Sequence, residues 1–152
     1  MEKHRDLFEI LHADHERVGQ ILSQLRERSD VSDHQNRVTK VSQEIEAHSS
    51  AEEAVVYSAL EDLDATENLA SDSRNEHNEI RLCLSAVSSL ETDKDQWERA
   101  VIDLETAVRN HVKVEEGELF ALMREGLTAE QLGKMASRFT EKKKELMQSL
   151  GG

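Results

Sequence analysis

No proline interrupts the 152-residue chain, and its single cysteine, Cys83, leaves nothing from which to build an internal disulfide or a thiolate cluster. Aromatic residues are 3% of the total, and the β-branched and aromatic runs that strands favour are scarce. Positive charge is also short, with 19 Lys and Arg against 32 Asp and Glu, a formal net charge of −13. Such a surface is expected to repel nucleic acid and anionic membranes while remaining open to metal cations. No apolar run approaches the ~20 residues of a membrane span, and the charged start "MEKHRDLFEIL" is unlike a secretory signal. Together these features predict a soluble, cytoplasmic, single-domain protein with no membrane or nucleic-acid partner.

The chain is rich in Glu, Leu, Ala, Ser and Arg, which favour helix. Apolar residues recur at helical spacing over 3–28, 34–62, 66–90, 94–124 and 128–148, with short polar joints between. Short joints make neighbouring helices antiparallel. The expected fold is all-α, an up-and-down four-helix bundle over 1–125 with an additional C-terminal packing helix, 126–152, in the same domain. Ser32 or Asp33, Thr66, and Thr92 or Asp93 read as helix starts, "TAEQ" at 128–131 as a capping box, and Gly126 as a terminator.

The seams carry the functional signal. The first helix gives Phe8, Leu11, His15, Val18, Leu22 and Leu25, and the second Val38, Val41, Ile45, His48, Glu52, Val55 and Ala59. The third gives His77, Ile80, Leu84 and Val87, and the fourth Trp97, Val101, Leu104, Val108, His111, Glu115, Leu119 and Leu122. Each apolar line is interrupted by a histidine, whereas the fifth segment carries no buried histidine or acid and reads as packing only. Residues four apart on a helix share a face, so His48 with Glu52 and His111 with Glu115 point inward together. Counted from the turns, the four histidines and two glutamates fall at heights that match to within about one helical turn.

Unpartnered imidazoles and carboxylates in an apolar seam would cost several kcal/mol for each charged group, too much for a domain whose whole stability is about 5–15 kcal/mol. Divalent metal would neutralise them, and mixed imidazole and carboxylate donors suit Fe, Mn or Zn better than Ca or Mg. Six donors exceed what one zinc takes. They fit two metals bridged by the two glutamates, each holding two histidines and keeping room for a bridging or exogenous oxygen species.

"LHADHERV", "AHSSAEEAVVY", "NEHNEI" and "NHVKVEEGELF", in this order, resemble the four helices of the hemerythrin-like, or HHE cation-binding, family over roughly residues 4–125. The resemblance implies a non-haem di-iron site with His15, His48, Glu52, His77, His111 and Glu115 as ligands and Glu52 and Glu115 as bridges. Two iron ions are then the expected cofactor, with Mn or Zn less favoured and an oxo or hydroxo bridge between the metals. Marine oxygen carriers resemble a pattern closed by an aspartate five residues after the last histidine, where this chain has Glu116. The third helix has Ser73 and Arg81, not histidine, four residues either side of His77. These departures weigh against simple reversible oxygen carriage. Many relatives carry proline where this chain has Ser58 and Ala121, so the second and fourth helices are expected to run on unbroken.

Around the ligands, Asp14 and Glu76 could each orient an imidazole on an adjacent helix. Glu53 and Glu116 read as solvent-side, His12 as flanking surface, Tyr57 and Trp97 as packing, Cys83 as a buried small hydrophobe, and His4 and His34 as exposed. The expected function is binding or reaction of O2, peroxide or NO. A sensing module read by a regulatory or redox protein partner, an iron donor for iron-sulfur cluster repair, and a structural metal bundle are the alternatives. Carriage and catalysis are both left open, and a monomer or weak dimer is expected.

Overall fold

The computed structural model describes residues 6–26, 31–89 and 94–151. His4, Thr92, Asp93 and the side chain of His34 lie outside the described residues. The described residues form five continuous helices and no strand. Helix α1 is Leu7–Arg26. Helix α2, residues 31–61, is α-helical over Val31–Ala51, widens into a π-helical turn at Glu52–Tyr57, and closes over Ser58–Glu61. Helix α3 is Glu67–Ser89. Helix α4, residues 94–126, repeats the plan of α2: Lys94–Val114, a π turn at Glu115–Leu119, then Phe120–Gly126. Helix α5 is Ala129–Gly151. None of these helices is long and apolar enough to cross a membrane, among the described residues.

Two apolar clusters establish the up-and-down arrangement. One gathers Leu25 and Val87 from the ends of α1 and α3 with Val38 and Trp97 from the starts of α2 and α4. The other gathers Leu7, Phe8 and Ala70 from the starts of α1 and α3 with Leu60 and Met123 from the ends of α2 and α4. Neighbouring helices therefore run in opposite directions. Each fully buried Leu or Phe contributes about 1.5–3 kcal/mol, and the two clusters hold the bundle shut at either end of a polar layer. Helix α5 lies outside the four, against α2 and α1, through Met135, Ala136 and Phe139.

The joints behave as local chemistry dictates, with two exceptions. Thr128 and Gln131 form the reciprocal capping box, Gln131 N donating to Thr128 Oγ1 at 3.1 Å and Thr128 N to Gln131 Oε1 at 2.8 Å. Helix α4 ends at Gly126, followed by extended Leu127. Thr66 precedes α3, but its buried hydroxyl donates backward to the carbonyl of Leu60 at 2.7 Å, closing the turn instead of capping the next helix. Helix α2 begins at Val31, so Ser32 and Asp33 fall inside it and not before it.

The π turns correct the expected seams. Up to Glu52 and Glu115 the seam residues that three-and-four spacing selects are buried, with Val108 only partly so. Beyond them, Val56 and Leu60 are buried where Val55 and Ala59 were expected, and Met123 where Leu122 was. A π turn takes one extra residue, so the inward register slips by one. Without proline both helices do run on, yet they run on loosened. Two donors fill the widened turn of α2: Ser58 Oγ and Arg74 donate to the carbonyl of Glu53 at 2.8 and 3.1 Å.

Candidate metal centre

Each bundle helix presents one histidine to the layer between the two clusters, and α2 and α4 each add a glutamate one turn further on. His15, His48, His77 and His111 are 8%, 6%, 1% and 4% exposed, and Glu52 and Glu115 are 0% and 1%. The structure brings all six together, as two groups of four ligand atoms. His15, His48, Glu52 and Glu115 make one, Glu52, His77, His111 and Glu115 the other, and both glutamates belong to both. His48 Nε2 is 3.0 Å and His77 Nε2 3.2 Å from Glu52 Oε1. Glu115 spans the halves with its two oxygens, Oε1 lying 3.4 Å from His15 Nε2 and Oε2 3.0 Å from His111 Nε2.

These close approaches do not satisfy the atoms involved. Nε2 of His15 and of His48, Oε2 of Glu52 and Oε1 of Glu115 are buried without a hydrogen-bond partner. An unsatisfied buried polar group costs about 1–3 kcal/mol. Buried polar atoms that converge without satisfying one another suit a cation placed between them, and two nitrogens with two carboxylates per half is a donor set for Fe, Mn or Zn.

Behind the imidazoles runs a closed ring of carboxylates. His48 Nδ1 donates to Asp14 of α1 at 2.8 Å, and His77 Nδ1 to Glu53 of α2 at 2.8 Å. His111 Nδ1 donates to Glu76 of α3 at 2.7 Å, and His15 Nδ1 to Glu116 of α4 at 2.6 Å. Every helix thus gives an acceptor to the histidine of the next, and each Nε2 is left facing the centre. Asp14 and Glu76 do orient histidines on adjacent helices. Glu53 and Glu116, expected at the solvent side, do so too. Each points away from its own helix's inward face but toward the imidazole of a neighbour. The signal in the sequence was the doubled Glu-Glu after each His-x-x-x. His12 is at the surface as expected, where it contacts both oxygens of Glu116 at 2.9 and 3.0 Å. Arg81 pairs with Glu53 at 2.9 Å.

The local field follows from these contacts. Burial pushes the imidazole of His48 down, but the charge of Glu52 and the hydrogen bond to Asp14 outweigh it and lift it to about 10. His111 is likewise pressed down by burial and lifted to about 10 by Glu115 and Glu76. Burial would raise Asp14, yet His48 and Lys143 hold it at about 2. In the metal-free chain, protons on His48 and His111 therefore help to balance the buried carboxylates.

Tyr57 corrects a second expectation. Five α-helical residues turn about 140° further than a full revolution, which would point Tyr57 away from Glu52, but the i to i+5 repeat of a π turn stacks it over Glu52. The ring is wholly buried. Its hydroxyl donates to Glu115 Oε2 at 2.7 Å and lies 3.3 Å from Glu52 Oε1, 3.2 Å from His77 Nε2 and 3.3 Å from His111 Nε2. It therefore touches all four members of one half. Burial and the two glutamates push the phenol well above its ordinary value, keeping it protonated. At the matching place after Glu115 stands Phe120, packed on Phe8.

The fifth helix is more than packing, against the expectation from its sequence. Phe139 sets its ring at 76° to His48 with centroids 5.6 Å apart, and Lys143 pairs with Asp14 at 2.8 Å. On the side away from the glutamates, a small cavity of about 20 Å³ is walled by the four imidazoles and by Val18, Ile45, Ile80 and Val108. By the same measure a single water needs about 10–15 Å³, so one small molecule fits. Trp97 is core as expected, and Cys83 is half-buried, its thiol pushed up by burial and by Asp103 and Glu79.

Fold and centre are those of a helical-bundle cation-binding domain. Residues 6–123 match the hemerythrin HHE cation binding domain, well over half of the chain, and the protein belongs to that family. A relative described as a DNA nickase, from Nostoc sp. (strain PCC 7120 / SAG 25.82 / UTEX 2576), is 26% identical over 144 residues, 95% of this chain and 41% of that protein. This chain thus spans about two-fifths of that relative, 41% of its length. No solved structure matches.

Proposed function

We propose that His15, His48, Glu52, His77, His111 and Glu115 ligate two metal ions, iron before manganese or zinc, with Glu52 and Glu115 bridging them, and that the centre binds or reacts with O2, peroxide or NO. The observation that carries this is the pair of four-residue groups sharing both glutamates, with buried ligand atoms left unsatisfied. A bound iron pair would supply electrons and open coordination positions to a small oxidant. The chain's own residues do the rest. The carboxylate ring fixes each imidazole, Val18, Ile45, Ile80 and Val108 give the histidine side an apolar lining, and the Tyr57 hydroxyl offers a proton or a further oxygen donor to the His77/His111 half. The last helix belongs to the same folding unit, and a cytoplasmic monomer or weak dimer suits a chain with one half-buried thiol. The nicking activity in the Nostoc relative's name concerns a protein of which this chain covers 41%, and a net charge of −13 opposes approach to a polyphosphate.

Metal analysis after anaerobic loading with Fe(II), followed by stopped-flow absorption of the reduced protein against O2, H2O2 and NO, tests this. Two irons per chain and a spectral change with at least one of the three are expected. A lasting oxygenated band would mark carriage and repeated peroxide consumption an enzyme. Two irons with no response to any of the three would overturn the reactivity and favour sensing or structure.

A further inference from the structure

The two halves of the centre have equivalent ligands and unequal support. The acids behind His77 and His111 are Glu53 of α2 and Glu76 of α3, and the cation on Glu53 is Arg81 of α3, all within the four-helix bundle. Behind His48 the arrangement reaches outside it. Asp14 divides its carboxylate, Oδ2 accepting from His48 Nδ1 at 2.8 Å and Oδ1 taking Lys143 Nζ at 2.8 Å. Lys143 comes from α5, which lies beyond the family match at 6–123. The same ammonium is 3.3 Å from Glu44 Oε2, on a glutamate 2% exposed that stands one turn before His48 on α2 and whose other oxygen pairs with Arg17 at 2.9 Å.

A carboxylate anchored at both oxygens cannot rotate, so Asp14 gives His48 an acceptor in one fixed direction and Nε2 is aimed at the centre. Remove the ammonium, and Asp14 Oδ1 loses its anchor while Glu44 keeps only Arg17, on its other oxygen. Asp14, held then by His48 alone, is free to turn and no longer presents its acceptor in one fixed direction. Phe139, 1% exposed, closes the same imidazole from solvent. We propose that Lys143 is a positioning residue of the metal centre: through Asp14 it fixes His48, so metal at the His15/His48 position depends on α5 while metal at the His77/His111 position does not. This rests on the two-metal proposal above.

The test is the affinity for Fe(II), measured anaerobically by chelator competition with metal analysis, in folded protein judged by far-ultraviolet circular dichroism. Wild type is expected to hold two irons, Lys143→Met to hold one of them ten- to a hundredfold more weakly, and Lys143→Arg to restore it. Two backgrounds identify the position. In His111→Ala, which keeps the full His15/His48 ligand set, adding Lys143→Met weakens the remaining iron by that factor; in His48→Ala, adding it changes nothing. Lys143→Gln, which keeps a donor to Asp14 without the charge, serves if the methionine variant does not fold, and an intermediate loss is expected. Equal effects in both backgrounds, or no effect in either, overturn the role of Lys143 alone. Fewer than two irons in wild type overturn the two-metal proposal and this one with it.

Discussion

His15 with His48 and His77 with His111 are two copies of one plan, an acid-histidine pair on one helix and His-x-x-x-Glu-Glu on the next, and they differ in everything that surrounds that plan. The His77/His111 half has a phenol in contact with all four of its ligand groups and is supported by the bundle alone. The His15/His48 half has no phenol at the matching place, where Phe120 stands, and is backed by Phe139 and Lys143 of a fifth helix. Ligand identity says where a metal can sit. The next layer of side chains decides how hard it is held and what it meets.

The largest effect expected is the loss of both halves together. Because each glutamate serves both, Glu52→Ala combined with Glu115→Ala should abolish iron binding, whereas a full iron load in that variant would refute the ligand assignment. Loaded wild type should melt above the double variant by about 10 °C, on ligand stabilisation of about 4 kcal/mol at a thousandfold saturation, as differential scanning calorimetry would read. Next in size are the single histidines: His48→Ala and His111→Ala should each lose one iron and keep the other, and loss of both irons from either would show that the halves do not load independently.

Smaller still, Glu53→Gln should weaken the His77/His111 iron and Glu116→Gln the His15/His48 iron, each by ten- to a hundredfold in chelator competition. Tyr57→Phe should retain two irons and change the visible spectrum of the oxidised protein. That substitution removes the phenol that distinguishes the halves, so an unchanged spectrum would mean the phenol does not meet the metal.

A separate prediction concerns pH in the metal-free chain. His48 and His111 are raised from 6.5 to about 10 on folding, so their contribution is full below pH 6.5 and is lost as pH rises through about 10. Asp14, lowered from 3.8 to about 2, contributes above 3.8 and is lost as pH falls through about 2. Apo stability should therefore peak between about pH 4 and 6.5, and the alkaline decline should flatten with metal in place of the protons, as thermal melts across pH would show.

All six proposed ligands were legible because helical spacing of three and four holds as far as Glu52 and Glu115. It fails at the residue where the backbone widens, and Tyr57, Val56, Leu60 and Met123 were missed for that one reason: nothing in "EEAVVY" or "EEGEL" announces an i to i+5 turn. Glu53 and Glu116 were misread because amphipathic reasoning judges a residue against its own helix, while their partners lie on the neighbours. Lys143 is the middle of three consecutive lysines. Only the packing of α5 against α2 and α1 selects it, and that is tertiary information.

The ring of carboxylates also imposes an order of events. Three of its links join helices that follow one another along the chain, with separations of 34, 24 and 35 residues. The fourth, His15 to Glu116, spans 101. Contacts between distant residues form late, since the loop must be closed before they reward it. A chain emerging from synthesis can therefore make three of the four supports early, but His15 stays unanchored until α4 is complete. Glu115, which both halves share, arrives in the same stretch of chain. Neither half can assemble its proposed ligands before the bundle has closed, so metal binding is expected to follow folding.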